Sequence, residues 1–185
     1  MPPQPPTSAG SITAYLAADH RRLDDLLSAA AGLPDRIDRD RYDQFRAGLL
    51  RHIGMEEKIL LPVIQRIRGG EPLPVAAKLR LDHGALATLL MPTPTPQILA
   101  TIRRILSDHN HVEEQAGGLY EIGDRLPPAE IEPLLAALRA APTVAVMRHS
   151  DSPAVMKTLQ GALQRAGYQL ENASAQAPFR SDGAR

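Results

Sequence analysis

Two segments of the chain carry the same pattern, a histidine followed four residues later by two consecutive glutamates. The first copy lies in RHIGMEEKILLP at 51–62, and the second lies in DHNHVEEQAGGLY at 108–120. Each copy follows an Asp-His pair, at 19–20 and at 82–83. Imidazole nitrogens and carboxylate oxygens are common metal ligands. The doubled pattern therefore predicts one site assembled from two similar halves of the chain.

Helical periodicity places six of these polar residues on faces that should be buried. Residues at alternating spacings of three and four share one face of a helix. At these spacings, six polar residues fall among Leu, Ile, Val and Ala: His20, His52, Glu56, His83, His109 and Glu113. A buried carboxylate is costly unless it is paired or binds a cation, and Lys and Arg lie on the opposite faces. The nitrogen and oxygen ligands suit iron, manganese or zinc more than calcium or magnesium.

Six ligands in two equal halves favour two metal ions over one. Each ion would take two histidines, and Glu56 and Glu113 would bridge the pair. With one solvent-derived oxygen bridge, each ion has about five ligands, which leaves one position apiece for a small ligand. An open position is typical of a reactive site.

Four helices are needed to bring these residues together. Cap and breaker residues predict helices over residues 12–31, 38–67, 74–91 and 95–126. Pro62 should kink or locally break the second helix. Because the connections are short, neighbouring helices should be antiparallel. The sequence therefore predicts an all-α, up-down-up-down four-helix bundle over residues 11–126.

The segments outside this bundle predict a short lead and a C-terminal helical extension. The proline-rich residues 1–10 should be disordered, and they do not resemble a signal peptide. Residues 127–142 predict a short additional helix. Residues 143–185 form a tail with the strand-like run TVAVM, a helix at 152–167 and a disordered end. The tail could pack on the bundle, mediate homo-oligomer formation or bind a protein partner.

Composition excludes several other classes of function. The chain contains 21 Lys and Arg residues and 21 Asp and Glu residues. This balance argues against nucleic acid or an anionic membrane as a partner. The absence of cysteine excludes disulfides, zinc–thiolate sites and iron–sulfur ligation by this chain. No stretch approaches the ~20 apolar residues that span a bilayer, and we expect a cytoplasmic protein.

The order His, HxxxE, His, HxxxE on four helices resembles the hemerythrin-like (HHE cation-binding) family over residues 11–126. The resemblance implies a non-haem di-iron centre with an oxo or hydroxo bridge, with iron ahead of manganese or zinc. Its implied ligands are His20, His52, Glu56, His83, His109 and Glu113, and the two glutamates would bridge the irons.

Two positions differ from the oxygen-carrying hemerythrins. Ala87 stands where those proteins have a second histidine on the third helix, and Glu113 stands in place of an aspartate five residues after the fourth-helix histidine. The set of four histidines and two glutamates is similar instead to bacterial iron-centre repair proteins. Those proteins carry a cysteine-bearing N-terminal domain, whereas this sequence has no cysteine.

These features predict a protein that binds or reduces O2, NO or peroxide at a carboxylate-bridged iron pair, with catalytic turnover left open. One alternative is a non-enzymatic iron, oxygen or redox sensor, or an iron-storage module, that signals through a partner or its tail. Another is a metal-free bundle in which both buried glutamates are protonated.

Several polar residues near the predicted ligands receive a structural interpretation. Glu57 and Glu114 lie about 100° off the buried faces and are expected to face solvent. For Asp19 and Asp82, a solvated helix face is the main interpretation, and support for the ligands is the alternative. Tyr120 is expected to pack in the core rather than to line a ligand channel.

Overall fold

The computed structural model of the chain describes residues 11–32 and 36–171, and every regular element in these ranges is helical. The helices are α1 (Ile12–Ala31), α2 (Arg39–Met55), a π-helical turn (Glu56–Leu60), α3 (Leu61–Ile67), α4 (Ala76–Leu89), α5 (Pro96–Glu114), α6 (Leu119–Asp124), α7 (Pro128–Arg139) and α8 (Pro153–Ala166). The disorder expected for 1–10 and for the end of the tail concerns residues outside the described ones. No helix in the two described ranges combines the length and the apolar character that a membrane crossing demands.

The bundle consists of α1, α2 with its continuation α3, α4, and α5, in the predicted up-down-up-down order. α1 packs against α2 and α5, and α4 packs against α5. Side-chain caps fix where three of these helices begin, because Ser11, Asp38 and Thr95 each accept a hydrogen bond from the backbone N–H three residues later. The predicted fold class is confirmed.

The irregularity expected at Pro62 takes the form of the π-helical turn. The Leu61 N–H donates to the Glu56 carbonyl five residues back, and Pro62 has no N–H to donate. Helical structure therefore continues through this turn into α3. Such turns are frequent at functional sites, and this one carries Glu56 and Glu57.

The prediction of one continuous helix over 95–126 is wrong. α5 and α6 are separated by a turn in which Gly117 has a φ of 76°. The Gly118 N–H donates to the Gln115 carbonyl at 2.8 Å. A Cβ atom on Gly118 would lie 2.5 Å from the Glu113 carbonyl oxygen. The two glycines are therefore required by a turn, since the left-handed conformation and the close backbone approach both disfavour a side chain.

The described part of the tail packs on the bundle. The helix predicted at 152–167 is α8, which Ser152 caps at its start and Gly167, with a φ of 86°, ends. α8 packs against α4. The run TVAVM is not part of a strand in the described chain; the segment between α7 and α8 has no regular structure. Arg46 and Arg51 fasten this segment by donating to the carbonyls of Met147 and Ala141.

A polar layer separates two apolar clusters in the core. One cluster includes Leu23, Leu49 and Leu86, together with side chains of α8. The other includes Leu16 and Met55, together with side chains of α6 and α7. The polar layer therefore has apolar side chains above and below it, and water has little access to it.

Candidate metal centre

All six predicted ligands lie in the polar layer. α1 contributes His20, α2 contributes His52, the π-helical turn contributes Glu56, α4 contributes His83, and α5 contributes His109 and Glu113. Each is buried, and both glutamates are 0% exposed. The remaining two histidines lie elsewhere: His111 is exposed and His149 stacks on Tyr42.

The six residues form two groups that share both glutamates. The first group is His20, His52, Glu56 and Glu113, and the second is Glu56, His83, His109 and Glu113. In each group, one ligand atom from every residue lies within 4.8 Å of the others. The pairing of histidines matches the two halves of the sequence pattern, and the shared glutamates stand between them.

Each histidine also has a carboxylate near its Nδ1 atom, contributed by a neighbouring helix. Three are hydrogen-bonded: His20 with Glu114 at 2.5 Å, His52 with Asp19 at 2.9 Å, and His83 with Glu57 at 2.7 Å. Asp82 lies 3.5 Å from His109 Nδ1, outside hydrogen-bond geometry. Because a carboxylate can only accept, the three hydrogen-bonded imidazoles hold a proton at Nδ1 and turn Nε2 toward the centre.

The expectation of a solvated position is therefore wrong for the buried Asp82 and for the partly buried Asp19 and Glu57. Glu114 is exposed, as expected, although its carboxylate also contacts His20. Each carboxylate is adjacent in sequence to a predicted ligand, and the 100° turn per residue brings it within reach of the next helix. These carboxylate–histidine contacts link the helices in a closed ring. They join α1 to α2, the π-helical turn to α4, α4 to α5, and α5 back to α1. The Asp-His and Glu-Glu doublets were the sequence signal for this ring.

Burial and nearby charges shift the pKa values of the site's glutamates and of His20. Burial raises the pKa of Glu113, and the charge of Glu56 raises it further. Burial alone would also raise the pKa of Glu56, but its interactions with His52 and His83 outweigh burial and hold it well below the usual value. Burial lowers the pKa of His20 to about 4. The two glutamates therefore have pKa values shifted in opposite directions.

The neighbouring carboxylates raise the pKa values of two histidines, one from each group. Burial opposes the charge on His52 and His109, but the nearby Glu56 and Glu113 carboxylates outweigh it and raise both pKa values to about 10. The buried carboxylates thus favour positive charge at these imidazoles. A metal ion can supply the same positive charge, and its binding would release protons from these groups.

The donor atoms fit a cation. Within the part of the chain that the structure describes, Glu56 Oε2 and Glu113 Oε1 are buried without a hydrogen-bond partner. Glu56 Oε2 is 3.1 Å from His83 Nε2 but outside hydrogen-bond geometry. The Nε2 atoms of His83 and His109 face each other at 3.1 Å. Unpartnered carboxylate oxygens beside convergent imidazole nitrogens are a ligand set for a metal ion.

Tyr120 is a polar member of the site that the sequence interpretation assigned only to packing. Its ring belongs to an apolar cluster, as expected. Its hydroxyl donates to Glu56 Oε1 at 2.6 Å and lies 2.9 Å from His20 Nε2. The glycine turn after α5 brings Tyr120 to this position. The only sequence signal for this contact was the helical spacing of Tyr120 after Glu113. The turn at Gly117–Gly118 interrupts the helix on which that spacing depends.

Comparison with known families agrees with this geometry. The hemerythrin HHE cation-binding domain matches residues 11–116. The chain belongs to this family. The matched region includes all six predicted ligands and ends before Tyr120. Searches of the curated proteins and of solved structures found no match.

Proposed function

We propose that this hemerythrin-domain chain is a non-haem di-iron protein that binds or reduces a small ligand such as O2, NO or peroxide. The observation that carries the proposal is the pair of four-residue groups that share Glu56 and Glu113. Two histidines and two carboxylates per group form a nitrogen and oxygen ligand set that iron accepts. The proposed iron ligands are His20, His52, Glu56, His83, His109 and Glu113.

The chain's own residues would orient and shield this centre. Carboxylates at Nδ1 hold the imidazole rings with Nε2 directed inward, and such partners raise the basicity of a metal-bound histidine. The apolar clusters above and below exclude bulk water. A bound iron pair would supply redox chemistry for a diatomic ligand or peroxide. The glutamates would hold the two ions near each other by offering one oxygen to each group.

The deciding experiment measures iron per chain and the absorption spectrum, before and after anaerobic reduction, in the wild type, His52→Ala and His111→Ala. The wild type should hold about two iron ions and show near-ultraviolet oxo-bridge bands that bleach on reduction. His52→Ala should hold about one ion or fewer and lose these bands. His111→Ala, which alters an exposed histidine, should behave as wild type. Full iron content and unchanged bands in His52→Ala would refute the assignment.

A series of side-chain contacts from the site to α8 favours a second candidate function. This is an iron or redox sensor that signals through the tail. Asp82, which lies at His109, forms an ion pair with Lys78. The Lys78 ammonium also donates to the Ala166 carbonyl at the end of α8, and it lies 4.8 Å from the Tyr168 ring centroid. The metal centre is thus connected through two side chains to the last turn of α8.

Limited proteolysis tests the sensor proposal. Cleavage rates between α7 and α8 and after α8 would be compared in metal-free, reduced and oxidised protein. A sensor should show different protection of the tail in at least two of these states, and the difference should disappear in Lys78→Met. Identical cleavage patterns in all three states would argue against signalling through the tail.

A further inference from the structure

The Tyr120 hydroxyl occupies a special place in the first group of ligands. Its oxygen lies 2.6 Å from Glu56 Oε1, 2.9 Å from His20 Nε2, 3.1 Å from Glu113 Oε2 and 3.3 Å from His52 Nε2. These are atoms of all four residues in that group. The phenol oxygen is therefore in the middle of the donor set that would surround one metal ion.

A hydrogen-bonding role alone does not require this arrangement. A phenol has one proton to donate, and the bond to Glu56 Oε1 at 2.6 Å already uses it. A buried tyrosine is satisfied by one or two partners at the edge of a polar cluster. Tyr120 instead reaches four ligand residues at once, and its side chain is 0% exposed.

The second group has no corresponding hydroxyl. In residues 11–32 and 36–171, no hydroxyl hydrogen-bonds to the Nε2 atoms of His83 or His109, which contact each other instead. Glu56 Oε2 and Glu113 Oε1, the carboxylate oxygens on that side, have no hydrogen-bond partner in the same ranges. The two groups thus offer unequal numbers of protein donors.

We propose that the Tyr120 oxygen is an additional ligand of the iron ion held by His20 and His52, so that only the ion held by His83 and His109 has a position for a small ligand. The proposal rests on the di-iron function proposed above. The first ion would then have two imidazole, two carboxylate, one phenolate and one bridging donor, about six in all. The second would keep about five.

Ligation by Tyr120 would release the phenol proton. The phenol O–H bond breaks, an iron–oxygen bond forms, and the proton passes to solvent, while the oxidation state of iron is unchanged. The ring is already held near its binding position by the apolar cluster and lies 5.5 Å from the His20 ring, centroid to centroid. The turn that requires Gly117 and Gly118 sets the start of α6 and with it the place of Tyr120.

The test compares iron-loaded, oxidised wild type with Tyr120→Phe and Tyr42→Phe. Tyr42 is a matched control, since it is also fully buried but stacks on Phe45 outside the polar layer. Each protein is assayed for iron per chain, visible absorption and resonance Raman scattering excited in the visible band. An iron-bound phenolate gives a charge-transfer band and enhanced ring vibrations.

Wild type and Tyr42→Phe should show the phenolate band and vibrations, and Tyr120→Phe should lose both while keeping its iron. Wild-type protein with about two irons and no phenolate vibrations would overturn this inference and leave the di-iron function standing. Persistence of the band in Tyr120→Phe would also overturn it. Wild-type protein that binds no iron would overturn both proposals.

Discussion

The half of the site built from α1 and α2 and the half built from α4 and α5 each place a carboxylate near both histidines, yet their surroundings differ. In the first half, Asp19 lies at His52 and pairs with Arg22 on its own helix at 2.8 Å. In the second half, Asp82 lies at His109 and pairs with Lys78, which also contacts the end of α8. The first half is thus supported from within the bundle, and the second is joined to the C-terminal extension.

Tyr120 makes a second difference between the halves. Its hydroxyl reaches His20 and His52 but forms no hydrogen bond with His83 or His109 in the described chain. A repeated sequence pattern therefore produces equal ligand sets, whereas the elements packed around each set make the two positions unequal. The following predictions test this inequality, from the largest expected effect to the smallest.

Removal of a shared ligand should affect both halves. Glu56→Ala should reduce iron from about two ions per chain to near zero, because both groups lose a carboxylate. His83→Ala should remove the ion of the second half and retain about one. Iron content measured on purified protein decides the outcome, with the exposed Glu132→Ala as control. One firmly bound ion in Glu56→Ala would mean that this glutamate serves only one half.

Removal of a carboxylate at Nδ1 should weaken one half at a time. Asp19→Asn and Asp82→Asn should each reduce iron affinity by about 10–100-fold, since the imidazole loses its orienting partner. Competition with a chelator measures the two affinities, and the exposed Asp25→Asn on α1 provides the control. Asp19→Asn should weaken the ion that carries the phenolate band, and Asp82→Asn should leave that band intact. Equal loss of the band in both variants would contradict separate halves.

The metal-free chain should become less stable as pH rises from 6.5 to about 10. The pKa values of His52 and His109, one from each half, are raised from 6.5 to about 10 by nearby carboxylates that outweigh burial. Over this range the folded chain binds more protons than the unfolded chain, so the free energy of unfolding decreases with pH. A loss of ~2 kcal/mol lowers Tm by roughly 4–8 °C in a chain of this size.

Thermal unfolding at several pH values measures this effect. The iron-loaded chain is the control, because metal-bound imidazoles are neutral and should give a smaller pH dependence. A Tm of the metal-free chain that is constant or rises over this interval would show that these histidines are not protonated in the folded state.

Loss of the contact between the second half and α8 should have the smallest effect. Lys78→Met keeps the apolar stem but removes the ammonium group that joins Asp82 to Ala166. Because Lys78 is half-exposed, we expect a loss of stability of at most ~1 kcal/mol. Thermal unfolding and the rate of proteolysis around α8 measure the change, with the exposed Lys58→Met as control. A decrease in iron affinity as large as that of Asp82→Asn would contradict this ranking.

Local sequence signals determined the helices and the buried position of six polar residues. Caps at Ser11, Asp38 and Thr95 depend on hydrogen bonds within three residues, and helical periodicity depends only on spacing. For the same reason, the sequence predicted that His52 and Glu56 share a face. These features are readable from one sequence because their partners are a few residues away.

Only the tertiary structure decided what each ligand contacts. Glu57 reaches His83 and Glu114 reaches His20 across helix interfaces, and spacing along one helix contains no information about the neighbouring helix. The position of Tyr120 depends on the turn at Gly117–Gly118, where a helical spacing pattern continues through a segment that is not helical. The repeat in the sequence thus determined two like halves, and the packing of α6 and α8 around them decided how they differ.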